Sequence, residues 1–155
     1  MFSDSHGQLA NARRALQLTR QVNYIVHAGD YRSDGIKLAA DAAVPVKAVL
    51  GNCDLDLEGP AEEVFELCGR RLLLVHGHLT GAKTPLSQQK LLDAARVCGA
   101  EAVVYGHTHE AVIINLEGVL LFNPGSISRP LDQARPSYGI LEINEKGIFP
   151  SIHRI

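Results

Sequence analysis

The stretch that decides the fold is Ala102-Val103-Val104-Tyr105-Gly106-His107-Thr108-His109, AVVYGHTH. Its first four residues form a short apolar run that is typical of a buried β-strand. The run leads directly into a glycine and two histidines. Ligands of α/β sheets bind beyond the carboxyl ends of the strands, where the loops leave. The two histidines are therefore candidates for a functional site at a strand end.

At four other junctions between a predicted strand and a loop, polar candidate residues likewise follow the strand. Polar side chains at such points are costly unless something bound there satisfies them. Glycines at 7, 29, 51, 77 and 106 let tight loops approach a common centre. The candidate residues of the five junctions are Asp4, His6, Asp30, Asn52, His76, His107 and His109.

The surrounding pattern predicts an α/β protein. Apolar spacing predicts helices over 9–20, 35–43 and 86–98, and strands over 24–26, 46–50 and 102–105. Three hairpins are predicted as well, 64–67 with 71–75, 111–116 with 119–122, and 138–143 with 148–154. A βαβα front half followed by hairpins favours a sheet-centred sandwich over a plain doubly wound fold. We expect one domain over 1–155, with a truncated first strand because only three residues precede Asp4.

Composition excludes several classes of protein. The 155 residues are 46% hydrophobic and 21% charged, with a formal net charge of -2 and no run of Lys or Arg, so a nucleic-acid-binding signature is lacking. No apolar segment reaches the roughly 20 residues of a membrane helix. Three cysteines without a CxxC pair predict reduced thiols and a cytoplasmic location. The oligomeric state stays open, a homo-oligomer included.

The chemistry of the seven candidates indicates metal binding. Two Asp, four His and one Asn suit Mn²⁺, Fe²⁺, Zn²⁺, Ni²⁺ or Co²⁺. Seven side chains are too many for one ion that keeps an open position, whereas two ions sharing a carboxylate would use them. Such a cluster would carry about +1 to +2 and attract an anion. Two ions about 3.5–4 Å apart can also activate a water molecule.

The five motifs, taken in order, resemble those of the calcineurin-like metallophosphoesterases. The pattern D-x-H, G-D, G-N-x-D, H-G-H and G-H-x-H is present at 4–6, 29–30, 51–54, 76–78 and 106–109. The sequence GNCD and the late Asn123-Pro124-Gly125-Ser126 are most similar to the small YfcE/YsnB-type phosphodiesterase subfamily. The resemblance implies a four-layer α/β/β/α sandwich, with two mixed sheets flanked by helices.

The resemblance also implies a site and an activity. One metal would be held by Asp4, His6, Asp30 and His109, and a second by Asp30, Asn52, His76 and His107. Two divalent ions are expected, Mn²⁺ in the first place, with Ni²⁺, Fe²⁺, Zn²⁺ or Co²⁺ as alternatives. The function implied is hydrolysis of a small phosphoester, and we favour a phosphodiesterase in which a bridging hydroxide attacks phosphorus in line. The catalytic candidates are Asp30, Asn52 and His78, and the candidates for substrate contact are Cys53, His78 and Arg129.

Cys53 departs from the wider superfamily, in which many members carry a histidine that is thought to protonate the leaving group. A thiol with an ordinary pKa near 8.5 is a poorer acid for this step. We favour a small space-filling residue, with a weak acid or substrate contact as the second reading and a nucleophile as the least favoured.

Two other functions stay open. The chain is also compatible with a non-catalytic metal-binding scaffold acting in protein–protein interaction, like the metallophosphoesterase-fold subunit of the retromer coat. Against it, all seven candidate ligands stand here, whereas in that scaffold they are usually eroded. A two-metal amide hydrolase or a metal-storage protein would bind metal without phosphoester turnover.

Overall fold

A computed structural model describes residues 1–55, 58–80, 85–131 and 134–155, without the side chain of Pro85. Three α-helices, one short 3₁₀ helix at His78–Thr80 and nine strands are present in these ranges. The α-helices are α1 Ala10–Leu18, α2 Arg32–Ala42 and α3 Pro85–Cys98. The strands are β1 Ile25–His27, β2 Val46–Ala48, β3 Glu62–Leu67, β4 Arg70–Val75, β5 Ala102–Val104, β6 Ala111–Leu116, β7 Val119–Pro124, β8 Ser137–Asn144 and β9 Gly147–Arg154.

The strands form two mixed sheets. The first has the order β3-β4-β5-β7-β6, in which β4, β5 and β7 are parallel and the two edge strands are antiparallel to their neighbours. The second sheet contains the parallel pair β1-β2 and the antiparallel hairpin β8-β9. Phe2 joins its two halves, because it forms a parallel bridge with His27 while Met1 and Gly139 exchange main-chain hydrogen bonds of 2.7 and 3.0 Å.

Buried apolar residues divide the molecule into four layers. Both sheets contribute to one core, in which Val26 and Val49 pack with Phe65, Leu74 and Phe122. A second core lies between α1, α2 and the second sheet, and it contains Ala12, Leu38 and Ile25. A third lies between α3 and the first sheet, with Leu91, Ala95 and Val103. The predicted α/β/β/α sandwich is therefore confirmed.

Helix α2 differs from its prediction. It begins at Arg32, three residues before the predicted start at Gly35. The carboxylate of Asp54 accepts hydrogen bonds from the main-chain N–H groups of Tyr31 and Arg32, at 3.0 and 2.6 Å. An acidic partner for the first N–H groups stabilises a helix start, and this partner is remote in sequence. Within the described ranges, no helix combines the length and apolar character that crossing a bilayer requires.

Candidate metal centre

The seven predicted ligand residues lie together at one edge of the two sheets. Each lies in a segment that follows a strand or, for Asp4 and His6, the bridge at Phe2. The segments after β1 and β2 come from one sheet, and those after β4 and β5 come from the other. In strand order they carry Asp30, Asn52, His76, and His107 with His109. The sandwich thus brings residues more than 100 positions apart into one site.

Four residues form the first group of donors. Asp4, His6, Asp30 and His109 each offer one ligand atom, and these atoms all lie within 4.8 Å of one another. Nε2 of His109 lies 3.2 Å from Oδ1 of Asp4. Nε2 of His6 lies 3.4 Å from Nε2 of His109 and 3.6 Å from Oδ2 of Asp30.

A second group of donors adjoins the first and shares Asp30 with it. Nε2 of His76 lies 3.2 Å from Oδ1 of Asp30 and 3.1 Å from Oδ1 of Asn52. The same Asn52 oxygen lies 3.1 Å from Nδ1 of His107. Asp30 therefore turns Oδ2 toward one group of donors and Oδ1 toward the other.

These donors fit divalent metal ions. Ligand atoms bound at about 2.1 Å and at right angles would be about 3 Å apart, close to the distances between neighbouring donors here. Oδ1 of Asp4 is buried and makes no hydrogen bond. A buried carboxylate oxygen without such a partner is unfavourable, and a cation would satisfy it. Nitrogen and oxygen donors without thiolate match first-row divalent ions.

The backbone is strained where these donors lie. Six of the nine described non-glycine residues with positive φ are Asp4, His6, Asp30, Tyr31, His107 and His109, with φ between 47° and 74°. Such conformations cost on the order of 1–3 kcal/mol each and cluster at functional sites. The fold retains this strain because the loops are held by many other contacts.

Glycines allow the loops to approach one another closely. A Cβ atom on Gly51 would lie 2.2 Å from Oδ1 of Asp30, and one on Gly106 would lie 1.8 Å from Oγ of Ser3. Both distances are too short for any side chain. These glycines are required for the site to close around its centre, as their spacing in the sequence predicted.

Hydrogen bonds orient the imidazole rings and carboxylates. Nδ1 of His76 donates to the carbonyl of Ala28 at 2.7 Å, and Nδ1 of His109 donates to the carbonyl of Arg129 at 2.5 Å. Each bond leaves Nε2 unprotonated in the neutral ring and directed at the other donors, as in many metal sites. The N–H of Cys53 donates to Oδ1 of Asp30 at 2.9 Å.

Most of the pKa shifts at the site favour the protonation states that bind a cation. Burial lowers the pKa of His6 and of His107, so both are neutral at neutral pH. The adjacent carboxylate of Asp4 raises the pKa of His109. Burial acts to raise the pKa of Asp4, but the adjacent His109 ring, the charge of His76 and the hydrogen bond from Ser3 outweigh it, and the net pKa is lowered. Asp4 is therefore ionised.

The other predicted site residues lie around this centre. The ring of His78 is 5.5 Å from that of His76 and 6.3 Å from that of His107, between centroids. Its Nδ1 is buried without a hydrogen bond, and burial together with the charge of His76 lowers its pKa. Arg129 exposes its side chain, while its carbonyl holds His109.

Cys53 contributes to the site chiefly through its backbone. Its N–H donates to Oδ1 of Asp30 at 2.9 Å, and its sulfur accepts a 3.5 Å contact from the amide of Asn52. Burial, the hydrogen bond with Asp30 and nearby carboxylates raise the pKa of the thiol to about 11. In the metal-free protein the thiol is therefore protonated at neutral pH.

Several hydrogen bonds that support the site were not predicted from the sequence. Oγ of Ser5 contacts Nε2 of His27 at 3.0 Å and donates to Oδ2 of Asp34 at 2.9 Å, all three being buried. Ser126 and Ser128 donate to the carbonyl of Asp4, at 2.9 and 2.8 Å. Serines near glycine-rich loops carry no signal that separates such bonds from ordinary turn chemistry, so the sequence could not identify them.

Comparison with known proteins agrees with this arrangement. The model of the calcineurin-like phosphoesterase superfamily domain matches residues 1–146. The probable metallophosphoesterase YsnB of Bacillus subtilis is 33% identical over 147 residues, covering 92% of this chain and 82% of the relative. The phosphodiesterase YfcE of Escherichia coli K12 is 32% identical over 166 residues, covering 90% of this chain and 84% of the relative.

Solved structures share the fold. A predicted phosphoesterase from Streptococcus pneumoniae superposes with a TM-score of 0.81 at 28% identity, covering 99% of this chain and 86% of that one. Vps29 from Entamoeba histolytica superposes with a TM-score of 0.78 at 19% identity, covering 99% and 97%, which shows a common fold alone. The family match over nearly the whole chain and two relatives above 30% identity show that this chain belongs to the calcineurin-like phosphoesterase superfamily.

Proposed function

We propose that this protein is a metal-dependent phosphodiesterase that uses two divalent metal ions, Mn²⁺ in the first place. The observation that carries the proposal is the carboxylate of Asp30, which turns one oxygen to each of two adjoining groups of donors. The family itself implies divalent metal ions and phosphoester hydrolysis. The name of the relative YfcE, a phosphodiesterase, supports the finer assignment to diesters.

The ions, when bound, would supply Lewis acidity toward phosphoryl oxygens and lower the pKa of a water molecule to near neutrality. The protein's own part is to hold seven donors in fixed orientations. Asp30 and Asn52 set the spacing of the two groups, and the buried bond from His76 to Ala28 prevents rotation of that ring. A positioned centre of this kind lowers the barrier because little has to rearrange during the reaction.

The catalytic candidate His78 contacts the substrate in this proposal and does not act as a general acid. A general acid must be protonated before it gives its proton to the leaving group. Burial lowers the pKa of His78, so the ring is neutral at neutral pH. We therefore assign it an N–H hydrogen bond to a phosphoryl oxygen rather than proton transfer. The guanidinium of the exposed Arg129 is the matching cationic contact at the rim.

The scaffold alternative is weaker. The likeness to Vps29 supports it, because that protein has the same fold at 19% identity. However, a structural likeness at this level concerns the fold alone. The seven donors, their strained loops and the unbonded oxygen of Asp4 are features that a surface for protein contact does not need.

Hydrolysis of bis-p-nitrophenyl phosphate by purified protein tests the proposal. We expect turnover after addition of Mn²⁺ and none after chelation with EDTA. Asp30→Asn should reduce turnover at least 100-fold, because it removes the charge shared by both groups of donors. Asp41→Asn is the matched control, since Asp41 lies on the surface, where its carboxylate pairs with Arg13. Metal binding without turnover would contradict the enzyme and favour the scaffold.

A further inference from the structure

Tyr31, next to the shared ligand Asp30, adopts a conformation that is unusual for a bulky residue. Its backbone has φ 74° and ψ 62°, in the left-handed region. Both of its main-chain groups are held there, because its N–H donates to Oδ2 of Asp54 at 3.0 Å and its carbonyl accepts from the N–H of Asp34 at 2.8 Å. Strain maintained by surrounding contacts is typical of functional positions.

This backbone conformation places the ring of Tyr31 beside His6, at the solvent-facing edge of the candidate metal centre. We call this edge the mouth of the centre. The ring meets that of His6 edge to face, with 5.9 Å between centroids and 66° between planes. The residue is also partly open to solvent, since Tyr31 is 39% exposed. A flat apolar surface is thus fixed beside one of the metal-ligand candidates and is available to a molecule bound there.

Other exposed apolar side chains follow the motifs of the site in the chain. Leu55 follows the GNCD motif and Leu79 follows the HGH motif, and both are more than three-quarters exposed. Leu131 follows Arg129 by two residues and is exposed as well. Apolar residues at the borders of a polar centre are expected where a ligand presents an apolar group next to a charged one.

Two arginines among the described residues lie next to residues of the mouth. The guanidinium of Arg32, next to Tyr31, donates to the carbonyls of Ala48 and Glu58 at 3.1 Å each, so it is engaged by the protein itself. Among the described residues, Arg129 is exposed, and its carbonyl contacts the ring of His109. A single phosphate with an apolar ester group needs no cationic side chain beyond this one.

We propose that Tyr31 is a specificity residue that packs against an aromatic ester group of the substrate. The proposal rests on the phosphodiesterase function and narrows it to aryl or similarly flat apolar phosphoesters. An aromatic contact of this kind corresponds to a preference of about 3- to 10-fold in binding. The anionic part of the ligand is held by the metal centre, which Tyr31 does not join.

Titration calorimetry of the Mn²⁺-loaded protein with phenylphosphonate and methylphosphonate tests this role. The two probes carry the same anion and differ in the ring, and neither is hydrolysed. We expect the protein to bind phenylphosphonate about 3- to 10-fold more tightly. Tyr31→Asn should abolish the preference while leaving methylphosphonate binding unchanged, because Asn tolerates a left-handed backbone. Tyr31→Phe should retain it.

Leu18→Asn is the matched control, since Leu18 is an exposed apolar residue at the end of α1 and remote from the centre. It should leave both dissociation constants unchanged. Equal affinities for the two phosphonates in the wild-type protein, or an unchanged preference in Tyr31→Asn, would overturn the proposal. Turnover of bis-p-nitrophenyl phosphate in the same preparation distinguishes a failure of the role of Tyr31 from a failure of the proposed phosphodiesterase function. A protein that hydrolyses the diester but shows no ring preference contradicts the role of Tyr31 alone.

Discussion

At the scale of single residues, Asp30 combines burial, a left-handed backbone and two differently directed carboxylate oxygens, which its position in a Gly-Asp pair does not predict. It is buried, lies in the left-handed region with φ 56°, and directs its two oxygens to different partners. The N–H of Cys53 fixes Oδ1 at 2.9 Å. The backbone of residue 53 is therefore part of the site, whatever its side chain. This explains how a position that often carries histidine in the superfamily can carry cysteine while the donors keep their geometry.

The side chain of Cys53 should accordingly be dispensable. We expect Cys53→Ala to retain turnover of bis-p-nitrophenyl phosphate within about threefold of wild type, because p-nitrophenolate leaves without an acid. The thiol, with a pKa of about 11 in the metal-free protein, should also react slowly with iodoacetamide at pH 7.5, as followed by mass spectrometry of the Cys53 peptide. Rapid alkylation, or a 100-fold loss of turnover, would show instead that the thiol takes part in the reaction.

At the scale of elements, two sets of hydrogen bonds connect β1, α2 and the loops of the centre. Ser5 joins His27 at the end of β1 to Asp34 in the first turn of α2. Asp54 joins the GNCD loop to the start of α2, since its carboxylate also accepts from the N–H of Gly51 at 2.8 Å. The loops that carry Asp4, Asp30 and Asn52 are thus braced against the same helix. We expect them to respond together when this bracing is weakened.

The buried His27 makes the stability of these elements depend on pH. Burial lowers its pKa from 6.5 to about 4 in the folded protein. Because the unfolded chain binds the proton more readily, stability is complete above pH 6.5 and falls as the pH decreases toward 4. The loss is at most roughly 3 kcal/mol. Urea unfolding of EDTA-treated protein at pH 7.0 and 4.5 measures it.

Two variants separate the contribution of His27 to the pH dependence of stability from the contributions of the other histidines. His27→Gln should show a smaller loss of unfolding free energy between the two pH values than the wild type, whatever its absolute stability. His153→Gln should keep the wild-type loss, because His153 is an exposed residue of β9. If His27→Gln and wild type lose the same free energy, His27 is not the group that titrates.

At the scale of the whole molecule, the sequence predicted the helices and strands better than the contacts between them. Buried strands such as Ala102–Val104 and helix α3 follow from local apolar spacing, and the motifs at the strand ends predicted the seven residues that the structure brings together. The two sheets and the start of α2 depend on partners distant in the chain, such as Asp54 for Arg32. Local patterns do not contain these contacts. The left-handed backbone of the donor residues is likewise imposed by packing rather than by residue type.

The architecture also explains why one site draws on both sheets. The carboxyl ends of β1 and β2 in one sheet, and of β4 and β5 in the other, meet at a common edge. The core between the sheets holds them in fixed relation through buried residues such as Phe65 and Phe122. A close-packed interior of this kind is rigid, so the spacing of the two groups of donors is set by the whole sandwich.

The most direct test of the central claim measures bound metal and turnover in the same samples. Metal-free protein is titrated with Mn²⁺, and bound metal per chain is determined with the rate of bis-p-nitrophenyl phosphate hydrolysis. We expect the rate to rise until about two ions are bound per chain, as a centre with a shared carboxylate requires. Asp30→Asn should lose both metal and rate. Full binding of metal without diester hydrolysis, or hydrolysis that EDTA leaves unchanged, would contradict the account.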